Sequence, residues 1–150
     1  MNVVINENQF DISHIYYTEP IQNIVLDNSS FVKLIYSNEY IMISGIYLLL
    51  HLKITSKENY FKKIKVTYDA TSNKELLHKL YEIENQILNK YSNSKKPRKI
   101  IYETLNGGTI KLFPNNETDS IPATNSFILK ISGLWENETE YGLTYKLLCT

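Results

Sequence analysis

The chain has 150 residues, of which 43% are hydrophobic, enough for one packed core and too few for two. Sixteen basic and sixteen acidic residues give a formal net charge of zero, and five glycines with four prolines exclude a fibrous or low-complexity protein. We therefore predict a single globular domain over residues 1–150.

Neither a secretory signal nor a membrane span is expected. Residues 1–13 contain no basic segment followed by an apolar core. The longest uncharged apolar run, residues 40–50, is far shorter than the roughly 20 residues that a membrane helix needs. Cys149 is the only cysteine, which suits a reducing compartment. We therefore expect a cytoplasmic protein that does not bind membranes.

Short runs rich in isoleucine, valine, tyrosine and phenylalanine predict half-buried strands in the first third of the chain. They lie at residues 11–17, 31–36 and 39–50, and Ser37–Glu39 predicts a tight turn between the second and third runs. The next segment, Phe61–Tyr68, alternates and predicts a strand with one buried and one cationic face. The buried positions are Ile64, Val66 and Tyr68, and the opposite face carries Phe61, Lys63, Lys65 and Thr67.

One amphipathic helix is predicted over about residues 73–91. Leucine and isoleucine recur there at intervals of three and four residues, which forms a single apolar stripe. Ser72 and Glu75 have the spacing of a capping box, in which each side chain satisfies a backbone N–H at the helix start. The stripe consists of Leu76, Leu77, Leu80, Ile83, Ile87 and Leu88.

Beyond the helix, the sequence predicts a loop followed by more strands. Ser92–Lys99 is polar, contains a proline and carries four basic residues. A strand is predicted at Lys99–Leu105, followed by an Asn-Gly-Gly hairpin turn and a short strand at Thr109–Phe113. A long loop leads to a final hairpin, in which Ser126–Trp135 pairs with Glu140–Leu148.

This order favours a mainly β fold, namely an OB-like five-stranded barrel with the helix between the third and fourth principal strands and with an extra hairpin. Closure would leave no long apolar edge strand exposed. Gly133 and Gly142 are interpreted as relieving the bend of closure. An α+β sandwich is the alternative. Alternation predicts one face of the final hairpin's first strand to be Phe127, Leu129, Ile131, Gly133 and Trp135.

Signatures of catalysis and of metal binding are few. Gly107 and Gly108 are not followed by the lysine and hydroxyl residue of a phosphate-binding loop. The three histidines are far apart and share no metal-ligand spacing with Cys149. Glu136 and Glu138 alternate near the final turn, where a solvated hairpin tip is a simpler interpretation than a divalent-metal site. We predict no catalytic residue, no metal site and no cofactor.

Charge is unevenly distributed along the chain. Residues 1–50 carry one basic and five acidic residues, residues 53–99 carry twelve and five, and residues 100–150 carry three and six. A basic region can attract an anionic partner even when the total charge is zero. Single strands bind where bases stack on aromatic rings and cations contact phosphates. The predicted phosphate-binding residues are Lys33, Lys62, Lys63, Lys65, Lys95, Lys96, Arg98 and Lys99, and the predicted base-stacking residues are Phe31, Tyr60, Phe61 and Trp135.

The segment FILKISGLWENETEYGLTYK, Phe127–Lys146, resembles the C-terminal hairpin of OB-fold single-stranded DNA-binding proteins of the phage replication type, with relatives in large cytoplasmic DNA viruses and yeast linear plasmids. That family's pattern is an apolar run ending in Gly-Ile/Leu-Trp, a polar turn, then Gly, an apolar residue, Thr or Ser, an aromatic residue and Lys. The match covers about twenty residues, and the matching positions are Gly133, Leu134, Trp135, Gly142, Leu143, Thr144, Tyr145 and Lys146.

The resemblance implies an OB fold, binding of single-stranded DNA and partnership with replication proteins. Phage members carry an acidic C-terminal tail that recruits polymerase, whereas this chain ends in KLLCT. Recruitment of a partner through such a tail is therefore not expected.

We predict a non-catalytic protein that coats single-stranded DNA during replication or recombination of a viral or extrachromosomal genome, with low sequence specificity. No residue pattern distinguishes DNA from RNA, because none identifies a 2′-hydroxyl contact. The alternative is a scaffold subunit that forms a homo-oligomer through its apolar strands, with residues 40–50 as the interface. A third hypothesis is a small nuclease or nucleotide-processing enzyme that uses Glu136 and Glu138 with a metal ion.

Overall fold

The computed structural model describes residues 4–22, 29–91, 94–113 and 125–150. The strands are β1 (Val4–Asn6), β2 (Ile15–Tyr17), β3 (Ile21–Gln22), β4 (Ser30–Ser37), β5 (Met42–Ser44), β6 (Ile46–His51), β7 (Ile54–Tyr60), β8 (Lys63–Tyr68), β9 (Lys96–Arg98), β10 (Thr109–Leu112), β11 (Ser126–Glu136) and β12 (Glu140–Cys149). The helices are α1 (Lys74–Tyr91) and α2 (Ile100–Leu105), and short 3-10 turns lie at Glu7–Gln9, Ile12–His14 and Thr71–Asn73.

The long hairpin of β11 and β12 is the centre of the main sheet. β11 pairs with β12 along one edge, and along its other edge it pairs first with β6 and then with β4. β1 and β9 are parallel partners of β6 and β12, and β4 also pairs with β2, β3 and β5. A second sheet has the order β10-β8-β7.

The two sheets meet at Phe113, directly after β10. The Phe113 N–H donates to the carbonyl oxygen of Leu147, and the Cys149 N–H donates to that of Phe113. β10 and β12 diverge from this contact, so the described strands are not closed into a barrel. The prediction of a mainly β fold with one main helix is confirmed, whereas the OB-like barrel is not.

One hydrophobic core lies between the main sheet, the three-stranded sheet and α1. α1 buries the predicted stripe, although Leu76 is only half-buried. The Tyr17 hydroxyl, on β2, donates to the Ile87 carbonyl oxygen at 2.6 Å and ties the sheet to the helix. We call the face of the sheets that contacts this core the inner face and the opposite one the outer face. β8 turns its predicted apolar positions inward, and these are Ile64, Val66 and Tyr68.

A helix, α2, forms where the sequence predicts the strand Lys99–Leu105, so that prediction is wrong. Glu84, on α1, is 1% exposed, and its carboxylate accepts the N–H groups of Ile101 at 2.9 Å and Tyr102 at 3.0 Å. The first amides of a helix have no partner within the helix. Glu84 satisfies two of them from a neighbouring element, which favours the helix over a strand.

The Asn-Gly-Gly segment links α2 to β10 and is not a hairpin turn. Gly108 has a φ of 82°, a conformation that residues with a Cβ rarely adopt. β10 covers most of the strand predicted at Thr109–Phe113, but its partner is β8.

Other predicted elements are confirmed with shifted ends. α1 starts within one residue of the predicted start, β4 covers the second predicted run, and β11 and β12 form the final hairpin. The first run begins as a 3-10 turn, and the third is broken at Gly45 into β5 and β6. The capping box is not formed, because the Ser72 hydroxyl lies within a 3-10 turn and donates to Asp69 Oδ2 at 3.0 Å.

Asn73, 5% exposed, fixes the β6–β7 connection to the start of α1. Its Oδ1 accepts the Lys53 N–H at 2.8 Å, and its Nδ2 donates to the carbonyl oxygens of Lys53 and Asp69 at 3.1 and 2.9 Å. Asn73→Ala removes all three bonds, so we expect the free energy of unfolding to fall by about 2–4 kcal/mol in urea denaturation. Asn89→Ala, at an exposed position of α1, is the control. An unchanged midpoint for Asn73→Ala would contradict this role.

Glu84 makes stability depend on pH. Burial raises the pKa of its carboxyl above the usual value of about 4.5, although the two accepted N–H bonds oppose the shift. The folded protein therefore holds this proton more tightly than the unfolded chain does. Its stabilising contribution is complete below the usual pKa and is lost as pH rises through the raised value.

Glu84→Gln does not titrate. We therefore expect the difference in unfolding free energy, wild type minus variant, to decrease as pH rises from about 4.5 toward neutrality. Urea denaturation across this range measures the difference. Glu75→Gln, which removes an exposed carboxylate from the same helix, is the control. A difference that stays constant with pH for Glu84→Gln would refute the assignment.

Candidate nucleic-acid interface

A β-bulge at Ser132 decides which side chains of β11 face outward. The register with β12 shifts by one residue between Ile131 and Gly133. Ile131 and Leu134 both point into the core, each at most 1% exposed, whereas Gly133 and Trp135 lie on the outer face. The predicted single face from Phe127 to Trp135 is therefore wrong beyond Ile131, because the bulge reverses the alternation.

Two aromatic rings lie on this outer face, each close to a glycine. A Cβ atom on Gly142 would lie 2.8–3.1 Å from three indole atoms of Trp135, and one on Gly133 would lie 2.8 and 3.0 Å from two ring atoms of Phe31. Lys33 is exposed and lies directly across from Gly133 in the register of β4 with β11. We call Phe31, Lys33 and Trp135 the aromatic platform. The two glycines make room for its rings.

A row of aromatic rings and ammonium groups crosses both sheets. Lys130 Nζ lies 5.5 Å from the Tyr47 ring centroid, and Lys130 is directly opposite Lys146 in the β11–β12 register. Lys146 Nζ and Lys63 Nζ lie 4.3 and 4.6 Å from the Phe113 ring centroid. Because Lys146 is on β12 and Lys63 on β8, Phe113 joins the outer faces of the two sheets. We call these five residues the cation–aromatic row.

The row and the platform are close enough to contact one ligand. Lys146 belongs to the row, and Gly142, four residues earlier on β12, lies under Trp135. Four residues of strand span about 13 Å. Beside the row, a cleft of about 530 Å³ opens between β10 and β12. Its polar lining consists of Lys111, Lys146 and the hydroxyls of Thr104, Thr109 and Tyr145.

The predicted residues Tyr60, Phe61 and Lys62 lie at the tip of the β7–β8 hairpin, and we call them the hairpin tip. The Tyr60 ring centroid lies 4.3 Å from Lys111 Nζ and 6.0 Å from Lys65 Nζ. Phe61 is 91% exposed. Lys65 lies on the outward side of β8, as alternation predicts, and its Nζ is 3.5 Å from a Glu58 oxygen. The hairpin tip therefore continues the row at one end.

Two of the predicted basic residues around β9 are paired with acids. Lys95 Nζ lies 2.5 Å from Glu136 Oε1, and this ammonium group is the main reason that the pKa of Glu136 is below its usual range. Arg98 contacts carboxylates of Glu103 and Glu140 at 3.2 and 3.3 Å. Lys95 therefore does not lie on the outer face, and Arg98 is paired with acidic residues beside β12.

Lys96 and Lys99 are the other two predicted basic residues around β9. Lys96 is exposed on β9, which ends the strand order of the main sheet. Lys99 Nζ donates to the Tyr81 hydroxyl, on α1, at 2.8 Å. The predicted basic residues therefore divide between the outer face, the hairpin tip and the surroundings of β9.

A second cleft among the described residues is less suited to an anionic ligand than the outer face is. A cleft of about 820 Å³ between α1 and α2 is lined by Lys74, Glu75, His78, Tyr81 and Tyr102, so opposite charges occur together in its lining.

Within the described ranges, no group of three or more His, Cys, Asp and Glu side chains is arranged to hold a metal ion. No helix in the same ranges is long and apolar enough to cross a membrane.

Sequence reasoning missed five residues of this surface, namely Tyr47, Lys111, Phe113, Lys130 and Lys146. The signal for two of them was available, since Lys130 and Lys146 are the single basic residues of β11 and β12. That they face each other depends on the bulge, because an unshifted register would place Lys130 opposite Leu147. The position of Phe113 depends on contacts between sheets, which no local pattern shows.

Compared with known proteins, the chain matches no family model, no curated protein and no solved structure. Any function must therefore be inferred from the geometry of the outer face.

Replacing Gly142 by Ala should displace Trp135, because the new methyl group would lie 2.8 Å from the indole. We expect the free energy of unfolding to fall by about 1–3 kcal/mol and the tryptophan emission to shift to the red as the ring becomes more exposed. Trp135 is the only tryptophan, so intrinsic fluorescence reports on this ring alone. Gly107→Ala, in the turn after α2, is the control. Unchanged emission in Gly142→Ala would show that the ring does not cover this glycine.

Proposed function

We propose that the protein binds single-stranded nucleic acid, with single-stranded DNA as its ligand, through the outer face of its two sheets. The observation that supports the proposal is that the aromatic platform and the cation–aromatic row share this face. Partly exposed aromatic rings can stack on bases, at about 1–3 kcal/mol per base, while ammonium groups contact phosphates. The platform would hold bases, and the row would hold the backbone of the same strand.

The charge of the outer face supports this ligand. The described lysines there are Lys33, Lys63, Lys65, Lys111, Lys130 and Lys146, and Glu58 is the acid that forms an ion pair with one of them. Two lysines that face each other across a strand pair repel, and a bound phosphate would relieve that repulsion.

The resemblance of Phe127–Lys146 to phage-type single-stranded DNA-binding proteins points to the same surface. Of the matching residues, Trp135 belongs to the platform, Gly133 and Gly142 lie next to its rings, and Lys146 belongs to the row. On this proposal the fold is a relative of the OB barrel that is open between β10 and β12.

The proposed role is non-catalytic and cytoplasmic, namely the coating of single strands during replication or recombination of a viral or extrachromosomal genome. Replication proteins would be its partners. Stacking and phosphate contacts do not depend on base edges, so the binding should show little sequence preference.

The second candidate is a scaffold subunit that oligomerises through its apolar strands. Tyr40 and Met42 favour it, because they are 87% and 73% exposed. The rest of the predicted interface, residues 40–50, is less suitable, since Ile46, Leu48 and Leu50 are buried in the chain's own core. Light scattering distinguishes the candidates: a stable oligomer without affinity for oligo-dT would favour the scaffold.

Fluorescence anisotropy with labelled oligo-dT at several salt concentrations tests the proposal. We expect affinity to fall as salt rises, with a log–log slope that decreases in magnitude by about 0.7 for each phosphate contact removed. Lys130→Gln and Lys146→Gln should each weaken binding and reduce the slope by about this amount.

Lys74→Gln is the matched control, because Lys74 is exposed on α1, at the helical cleft. It should leave both the affinity and the slope unchanged. The proposal would be wrong if oligo-dT did not bind at low salt, or if the three variants lost affinity equally.

A further inference from the structure

Phe61 at the hairpin tip has an unfavourable conformation for its residue type. Phe61 and Lys62 form a two-residue turn between β7 and β8, and the φ of Phe61 is 56°. Such turns usually carry asparagine, aspartate or glycine, because a Cβ atom is strained at positive φ. Phe61 is the only residue other than glycine with a positive φ in the described ranges. The ring is held there although 91% of the residue is exposed, so the fold gains little from burying it.

Three lysines lie close to Tyr60 and Phe61, and we call Lys62, Lys65 and Lys111 the collar. Tyr60 contacts the Phe61 ring edge to face, with centroids 4.8 Å apart, and Tyr60 in turn lies under the ammonium groups of Lys65 and Lys111. Lys62 is exposed beside the ring. The hairpin tip therefore combines one free aromatic ring with several cations, a combination that complements stacked bases and their phosphates.

The position of the ring differs from that of the platform. Phe31 and Trp135 are half-buried, and their rings lie against glycines of the sheet. Phe61 is exposed at the end of the cation–aromatic row, two residues before Lys63 in sequence. On the proposed function, a nucleic-acid strand bound along the row would reach the end of the row at Phe61. The exposure of Phe61 shows that the described residues leave open space around its ring.

Resting on the proposed function, we propose that Phe61 stacks on the terminal base pair where a bound single strand enters a duplex. The protein then binds a tailed duplex more tightly than the single strand alone. A terminal base pair presents a flat apolar face where the single strand begins. The lysines of the collar contact the phosphates on both sides of this junction.

An anionic lipid surface is the other ligand that an apolar tip with lysines can suit. The arrangement of charge favours nucleic acid, because the lysines continue beyond the tip as a row across β8, β12 and β11. Phe61 is also the single ring that projects fully at this hairpin tip, since Tyr60 is 39% exposed.

The test compares two labelled ligands by fluorescence anisotropy: an oligo-dT, and a DNA hairpin that carries the same oligo-dT as a tail. We expect the wild type to prefer the tailed hairpin by roughly five- to tenfold, the lower part of the range for stacking on an aromatic ring. Phe61→Gly should abolish this preference, so that its affinities for the tailed hairpin and for oligo-dT agree within about twofold. Because glycine suits the positive φ, this variant retains the fold. Phe61→Trp should keep the preference.

Tyr40→Gly is the matched control, because Tyr40 is an aromatic residue at another turn and is 87% exposed. It should leave the preference unchanged. Oligo-dT binding with no preference for the tailed hairpin overturns the inference and leaves the proposed function intact, whereas no oligo-dT binding overturns both. Binding to phosphatidylserine vesicles that is lost in Phe61→Gly, without a junction preference, assigns the tip to lipid instead.

Discussion

The β-bulge at Ser132 is the constraint on which both parts of the outer face depend. One extra residue reverses the alternation of β11, so Leu134 fills the core while Trp135 faces outward. The same shift places Lys130 directly opposite Lys146. Like charges in this position destabilise a strand pair. Each ammonium group lies over a different aromatic ring, which offsets part of that cost and keeps both charges on the surface.

The aromatic platform depends on a second constraint, the close approach of neighbouring strands at glycines. A Cβ atom on Gly133 would lie 2.1 Å from the Val32 carbonyl oxygen, so β4 and β11 can pair here only around a glycine. Glycine weakens a strand interior, and a ring laid over it from the adjacent strand restores apolar contact. The ring thereby lies against the backbone and stays partly exposed to solvent. Packing and ligand stacking therefore require the same geometry, and sheet stability alone would maintain the platform.

Sequence patterns predicted the elements that are stabilised by contacts within themselves or with a chain neighbour. The apolar stripe predicts α1, and alternation predicts the buried face of β8. The residues of α2 suit a strand equally well, and the groups that decide for a helix are the carboxylate oxygens of Glu84, from another element. Of the predicted site residues, Phe31, Lys33, Lys63 and Lys65 lie on the outer face because they alternate with core positions. Trp135 faces outward because of the bulge. Barrel closure depends on whether β10 pairs along β12 or contacts it only at Phe113. Packing between the two sheets decides this, and local sequence patterns do not report on it.

Charge density along the sequence is a poor guide to the cations that a ligand can reach, because pairing decides which charges are available. The densest basic segment, around β9, lies against the acidic end of the β11–β12 hairpin, where Lys95 and Arg98 are bound to carboxylates. Lys146 belongs to a net acidic third of the chain, yet it lies in the cationic row. Glu140 is six residues away from it on β12, about 20 Å along the strand. That distance exceeds the screening length of about 10 Å at 0.1 M salt, so the acids near the turn pair with Lys95 and Arg98 without cancelling the field of the row. A chain with no net charge can therefore present one strongly cationic face.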